Sequence, residues 1–166
     1  MAMEKIRKMV EEGMVRAYMP SHYCLRLMKV AEVHDYTNEF GEGEYHLNPG
    51  DPKLEGTRGE HWSPAWKKIL SKYLLEDGSS IVPENLPGGT YITIQTNPDP
   101  SERRKSVTWA MDARLISDQP FVVGELTIDP NVDMLCMGGD EQAPNLEWGC
   151  WPVKKVIFQD TYETII

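Results

Sequence analysis

The stretch Gly56-Thr57-Arg58-Gly59-Glu60-His61-Trp62-Ser63-Pro64 brings a cation, a carboxylate, an imidazole and an indole into one short segment. A glycine-rich turn that runs into a helix start leaves backbone amides free, and those amides favour anions. Arg58 and Lys67 could add charge there and Trp62 could stack a ring, which makes this a candidate site for a nucleotide or another phosphate-bearing ligand. Neither a Walker pattern nor Gly-x-Gly-x-x-Gly accompanies it. Glu60 and His61, with Asp51, form a candidate acid-base group for a small hydrolase. No nucleophile signature stands beside them: Ser63 lacks a Gly-x-Ser-x-Gly elbow and reads as a helix cap, and Cys150 has no base identifiable from sequence. The weight of these residues is against catalysis.

Five tryptophans are many for the length, at positions 62, 66, 109, 148 and 151. Trp109 lies on an alternating stretch and reads as core, whereas Trp148 and Trp151 fall among turn residues, where exposed indoles favour a protein interface. His22, Cys24, His34, His46 and His61 are metal-ligand types, but their spacing forms no compact ligand motif, so neither a metal nor a cofactor is expected. Arg103-Arg104-Lys105 reads as a solvated loop.

With 17 basic and 26 acidic residues the chain carries a net charge of -9, which disfavours direct nucleic-acid binding and suits a basic protein partner. Glu39, Glu42 and Glu44 concentrate some of that charge. A chain of 166 residues is long enough for one self-sufficient core. No apolar run approaches the roughly 20 residues of a membrane helix. The charged amino-terminal residues and the three scattered cysteines predict no signal peptide, no disulfide framework and a cytoplasmic location.

The elements that must position these groups read as α+β. Ile6, Met9 and Val10 predict a helix over about 4–12, and Trp66, Ile69, Leu70, Tyr73 and Leu74 a second over about 64–76, opened by Ser63-Pro64. Alternation predicts strands over 24–36, 91–96, 107–116, 121–128 and 153–161, in a mainly antiparallel sheet. Tyr45 and Leu47 anchor a shorter one.

Two stretches resemble each other. Gly50-Asp51 is followed by Trp62, Pro64, Lys67-Lys68 and Tyr73, and Gly139-Asp140 by Trp151, Pro152, Lys154-Lys155 and Tyr162. The chain therefore reads as a single domain over 1–166 in which two related halves, about 1–80 and 90–166, share one core. Each stretch also resembles the small PGDYG family and related phage and bacterial domains. Pro49-Gly50-Asp51, Gly59-Glu60, Trp62 and Pro64 carry the first likeness, and Gly139-Asp140, Trp151-Pro152-Val153, Phe158 and Tyr162-Glu163 the second. Pro52-Lys53 stand where that motif has Tyr-Gly. The resemblance implies a small β-rich module in a phage-type setting and transfers no catalytic residue.

The residues together favour a non-catalytic binding protein of accessory or inhibitory type, whose acidic, tryptophan-bearing surface engages a basic or nucleic-acid-handling protein partner. The ligand-facing candidates are Arg58, Trp62, Lys67, Trp148 and Trp151. A nucleotide or phosphate binder, and a hydrolase using Glu60 and His61, are the alternatives.

Overall fold

Ile6, Met9 and Val10 line one side of a helix, and Ile6 is fully buried by it. The computed structural model describes residues 1–37 and 44–165. In chain order these form α1 (Ala2–Glu11), β1 (Arg16–Pro20), β2 (Cys24–Lys29), β3 (His34–Thr37), β4 (Glu44–Leu47), β5 (Pro52–Glu55), β6 (His61–Trp62), α2 (Trp66–Lys72), β7 (Tyr73–Leu75), β8 (Tyr91–Thr96), α3 (Pro100–Arg103), β9 (Thr108–Asp112), β10 (Phe121–Val123), β11 (Leu126–Ile128), β12 (Asp133–Met137), β13 (Cys150–Lys154), α4 (Lys155–Thr161) and β14 (Tyr162–Thr164). The class is α+β with antiparallel sheets, and the described residues hold four α-helices where the sequence predicted two. None of those helices is long and apolar enough to cross a membrane.

Five elements differ from the sequence reading. The strand expected over 107–116 ends at Asp112, where Ala113–Leu115 form a 3-10 turn, and the one expected over 121–128 is the two strands of a hairpin. The other three are changed by contacts between residues distant in sequence and by helical spacing. The helix expected over 64–76 occupies only Trp66–Lys72 and has Ala65 at its N-cap, because the Ser63 hydroxyl donates to the Pro52 carbonyl at 2.6 Å instead of capping. Tyr73 then leaves the helix and pairs with Thr96 as strand. The strand expected over 153–161 ends at Lys154; beyond it Phe158 and Thr161, spaced for one helical face, are buried by α4. The strand expected over 24–36 breaks at Val30, whose amide donates to the Asp51 carbonyl, and resumes as β3. Gly124, at φ +61, makes the tight turn between β10 and β11.

The chain divides into two compact units, a terminal one formed by Met1–Ser21 and Pro100–Ile166 and a central one formed by His22–Asp99. The terminal unit has a five-stranded sheet in the order β13-β12-β9-β1-β14, and the central unit one in the order β6-β5-β2-β8-β7. Each contains a separate two-stranded hairpin, β10-β11 and β3-β4.

The two sheets correspond strand for strand. In each, a central strand (β9 or β2) is followed by the hairpin and two antiparallel strands. A helix of 7 residues and a closing strand complete it. Trp62 stands opposite Leu54 on β5, and Trp151 opposite Cys136 on β12. Tyr73 stands opposite Thr96, and Tyr162 opposite Pro20. The fourth strand is supplied out of turn: β1 completes the terminal sheet and β8 the central one, so the first strand of each sequence half belongs to the other half's sheet.

One sheet face is apolar in both units. In the central unit Leu27, Leu54, Ile69 and Ile94 cluster there, and in the terminal unit Ala110, Cys136 and Phe158 with Tyr18. Smaller strand residues under α4 are matched by a larger helix residue, Phe158, and by the Tyr18 ring, 4.8 Å from it, which keeps the volume filled.

Candidate functional site

Two regions place chemically capable side chains where they are not needed to close a core. The first is the β12–β13 connection, residues 138–149, much longer than its counterpart between β5 and β6. Gly138 lets the Trp148 indole lie on the backbone, since a Cβ there would come within 2.8 Å of the ring. Gly139 is pressed closer still: a Cβ would sit 2.4 Å from the Ala143 carbonyl oxygen and 2.7 Å from Trp109 Cδ1. The Asp140 carboxylate accepts from the Gln142 and Ala143 amides, the Trp109 indole N–H donates to the Asp140 carbonyl at 2.8 Å, and the Asn145 amide donates to the Gly138 carbonyl. Leu146 packs against the apolar core of the terminal unit. The loop is tied at both ends and in the middle, yet Trp148 remains 64% exposed, with Asp140, Glu141 and Glu147 exposed beside it.

The second region is the face of the central sheet opposite α2. The register sets Arg26, Glu55 and His61 in one row across β2, β5 and β6, with Met28 and Lys53 in the next. Arg26 reaches Glu55 at 2.6 Å and the His61 Nε2 lies 3.0 Å from the other Glu55 oxygen. Partial burial pushes the Glu55 carboxyl up, but hydrogen bonds from His61 and Arg26 and the Arg26 charge outweigh it and hold the group below its ordinary value. Lys53, 7% exposed, donates to His34 Nε2 at 2.8 Å and lies 4.5 Å from the Tyr36 ring centroid. Tyr36 stacks on Tyr45 across the β3–β4 hairpin.

No family model matches the chain, and no curated protein or solved structure is similar to it. Its chemistry is therefore read from its own side chains.

The residues singled out from sequence are dispersed. Arg58 is exposed in the β5–β6 turn and Lys67 exposed on α2, whereas Trp62 and Trp151 pack against the helix-covered apolar clusters. Glu60 and His61 make different contacts: Glu60 lies over Gly56 and accepts from the Arg58 amide at 3.0 Å, while His61 pairs with Glu55. Asp51 accepts from the Asn48 amide and shapes the turn entering β5. Gly50-Asp51 thus precedes β5, but Gly139-Asp140 follows β12, so the two copies of that dipeptide occupy different places in the fold. Arg103 is buried rather than solvated, its guanidinium donating to the Pro20 carbonyl. Of the cluster of acidic residues near 39–44, Glu44 is exposed on β4, and Glu39 and Glu42 lie outside the described residues.

Among the described residues no group of His, Cys, Asp and Glu is placed to hold a metal ion. His22 bonds Gln95 and His46 bonds Asp35. Burial pushes the Cys136 and Cys150 thiols up, which keeps both protonated and poorly nucleophilic. Sequence reasoning missed Arg26, Lys53, Glu55 and Tyr36. The available signal was the alternation itself: Lys53 and Glu55 flank Leu54 on one short strand, so they must face away from the side that Leu54 buries.

Proposed function

We propose that the protein is a non-catalytic binding protein, accessory or inhibitory in type, whose 138–149 loop docks onto a basic protein partner. The observation that carries this reading is Trp148, 64% exposed on a loop that hydrogen bonds and two close-packed glycines hold in one conformation. A large rigid indole loses little conformational freedom on binding, and tryptophan is the commonest kind of interface anchor. Asp140, Glu141 and Glu147 around it, on a chain of net charge -9, favour a cationic rim on the partner. Three free cysteines are consistent with a cytoplasmic setting, and the PGDYG resemblance with a phage-type one. The matching strand orders support reading the two sequence halves as copies of one module, with the loop as an addition to one copy.

The test uses a fluorescent peptide that alternates Lys or Arg with apolar residues, titrated with the full chain at low and moderate salt. Trp148→Ala is expected to weaken binding at least tenfold. Replacing Asp140, Glu141 and Glu147 by Asn, Gln and Gln is expected to flatten the salt dependence. Equal affinity for the Trp148→Ala chain would contradict the proposal.

A further inference from the structure

The two short helices are an internal control for surface charge. Each is 7 residues long and carries a pair of lysines at its start, Lys67-Lys68 in α2 and Lys154-Lys155 at the beginning of α4. The terminal unit pairs both of its own: Lys155 Nζ lies 3.0 Å from the Asp112 carboxylate and donates to the Pro130 carbonyl, and Lys154 lies 3.8 Å from Asp133. In the central unit Lys67 and Lys68 are exposed and, among the described residues, pair with no carboxylate. Ile69 is buried beneath α2, so the helical period turns Lys67, Lys68, Leu70 and Ser71 outward, and Leu70 is 44% exposed. The Ser71 hydroxyl turns back to donate to the Lys68 carbonyl, which leaves a short side chain framed by the lysine stems and Leu70. No Asp or Glu lies between Glu60 and Glu76. The loop carrying Trp148 is the reverse case: no Lys, Arg or His lies between Arg114 and Lys154, and Asp140, Glu141 and Glu147 are exposed beside the indole.

We propose that a second copy of this chain is a partner of the 138–149 loop, and that its α2 is the surface on which the loop docks. The inference rests on the reading of that loop as a docking element and names what receives it. Each side supplies one exposed apolar anchor, Trp148 or Leu70, and charges of one sign, the carboxylates of Glu141 and Glu147 against the ammonium groups of Lys67 and Lys68. An indole laid over Ser71 covers Leu70 and meets the lysines with its π face, while the carboxylates meet them at the rim. On a chain of net charge -9 most faces repel a second copy, and a helix with three lysines and no acidic residue offers the acidic loop a matching one. The loop and α2 are different surfaces, so the contact is heterologous: one copy's loop meets the next copy's helix, and association grows with concentration until a ring closes. A loop seated on α2 is occupied, so self-association and the binding of any other basic protein compete.

Sedimentation velocity on the full chain tests this. The weight-average sedimentation coefficient is expected to rise with protein concentration at low salt and to rise less at moderate salt. Trp148→Ala is expected to weaken self-association about tenfold or more. Lys67→Glu with Lys68→Glu in one chain, and Glu141→Lys with Glu147→Lys in another, are each expected to leave the protein monomeric, because loop and helix then carry the same sign. Mixing these two chains sets opposite charges against each other again at both contacts, and the mixture is expected to associate. All four positions are exposed, so both chains are expected to keep the Tm of the parent. The fluorescent basic peptide separates this inference from the docking role of the loop: the Lys67→Glu, Lys68→Glu chain is expected to bind it as the parent does, and the peptide to disperse the parent's self-association. A parent that self-associates as described yet ignores the peptide would support the inference and remove the separate basic partner. A parent that stays monomeric at every concentration while the peptide still binds through Trp148 would overturn the inference and leave the docking role standing. Self-association that persists in either charge-reversed chain, or two reversed chains that fail to associate when mixed, would overturn it as well.

Discussion

The terminal and central units use one strand order with two different second faces. Under their short helices they agree: Leu54 against Ile69 in one unit and Cys136 against Phe158 in the other fill the same position with different volumes. On the opposite face they part, with Leu135 and Met137 in one and Lys53 and Glu55 in the other. The helix-covered face is thus what this topology needs in order to fold, and the other face is free to take chemistry. The loop after β12 teaches the same lesson at an edge, since the five-stranded order is unaffected by its extra length.

The sharpest way to break that contrast is in the shared core. Phe158→Ala is expected to cost about 3–5 kcal/mol and Leu54→Ala about 2–5 kcal/mol in urea unfolding, because both leave cavities among fully packed neighbours. A unit that tolerated its substitution would not need the face it has in common with the other. Leu135→Lys moves the central unit's charge into the terminal core and is expected to cost about 3 kcal/mol or more, since nothing there matches the His34 and Tyr36 that surround Lys53. A cost near zero would mean that the two faces are interchangeable.

Glu55 gives a smaller, pH-dependent effect. Its carboxyl is held below the ordinary 4.5, so its stabilising contribution is present above that value and is lost as pH falls through the lower, folded one. Glu55→Gln is therefore expected to reduce stability by on the order of 1 kcal/mol at neutral pH, with the gap to the parent closing on acidification below about pH 4.5. A gap that widened on acidification would reverse the assignment. Trp148→Ala is the smallest, within about 0.5 kcal/mol in stability because the indole is 64% exposed.

What could be read from the sequence follows the range of the interactions. Ile6, Met9 and Val10 fixed α1, and the alternation of β8 fixed its extent, because both patterns are local. The ends of α2 and all of α4 were not local: Tyr73 leaves its helix to meet Thr96, and Ser63 is drawn to Pro52. The exchange of β1 and β8 between the sheets has no local signal at all, and it obscured the correspondence of the halves. For the candidate sites, Trp148 was legible as an indole among turn residues. His61 was legible as a titratable group, but its partner is Glu55 across a strand pair rather than its neighbour Glu60. For Lys53 the alternation around Leu54 gives the face it occupies, but not its surroundings, since His34 and Tyr36 are brought to it by the hairpin.

The central claim is that the chain engages a basic partner through the loop after β12. Its most direct test is the indole N–H spectrum of the ¹⁵N-labelled protein, titrated with the basic peptide and assigned by single Trp→Phe variants. Trp148 should shift first and most, while Trp62 and Trp151, packed on the two helix-covered clusters, stay in place. An unmoved Trp148 beside a shifting Trp62 or Trp151, or no shift in any indole, would contradict it.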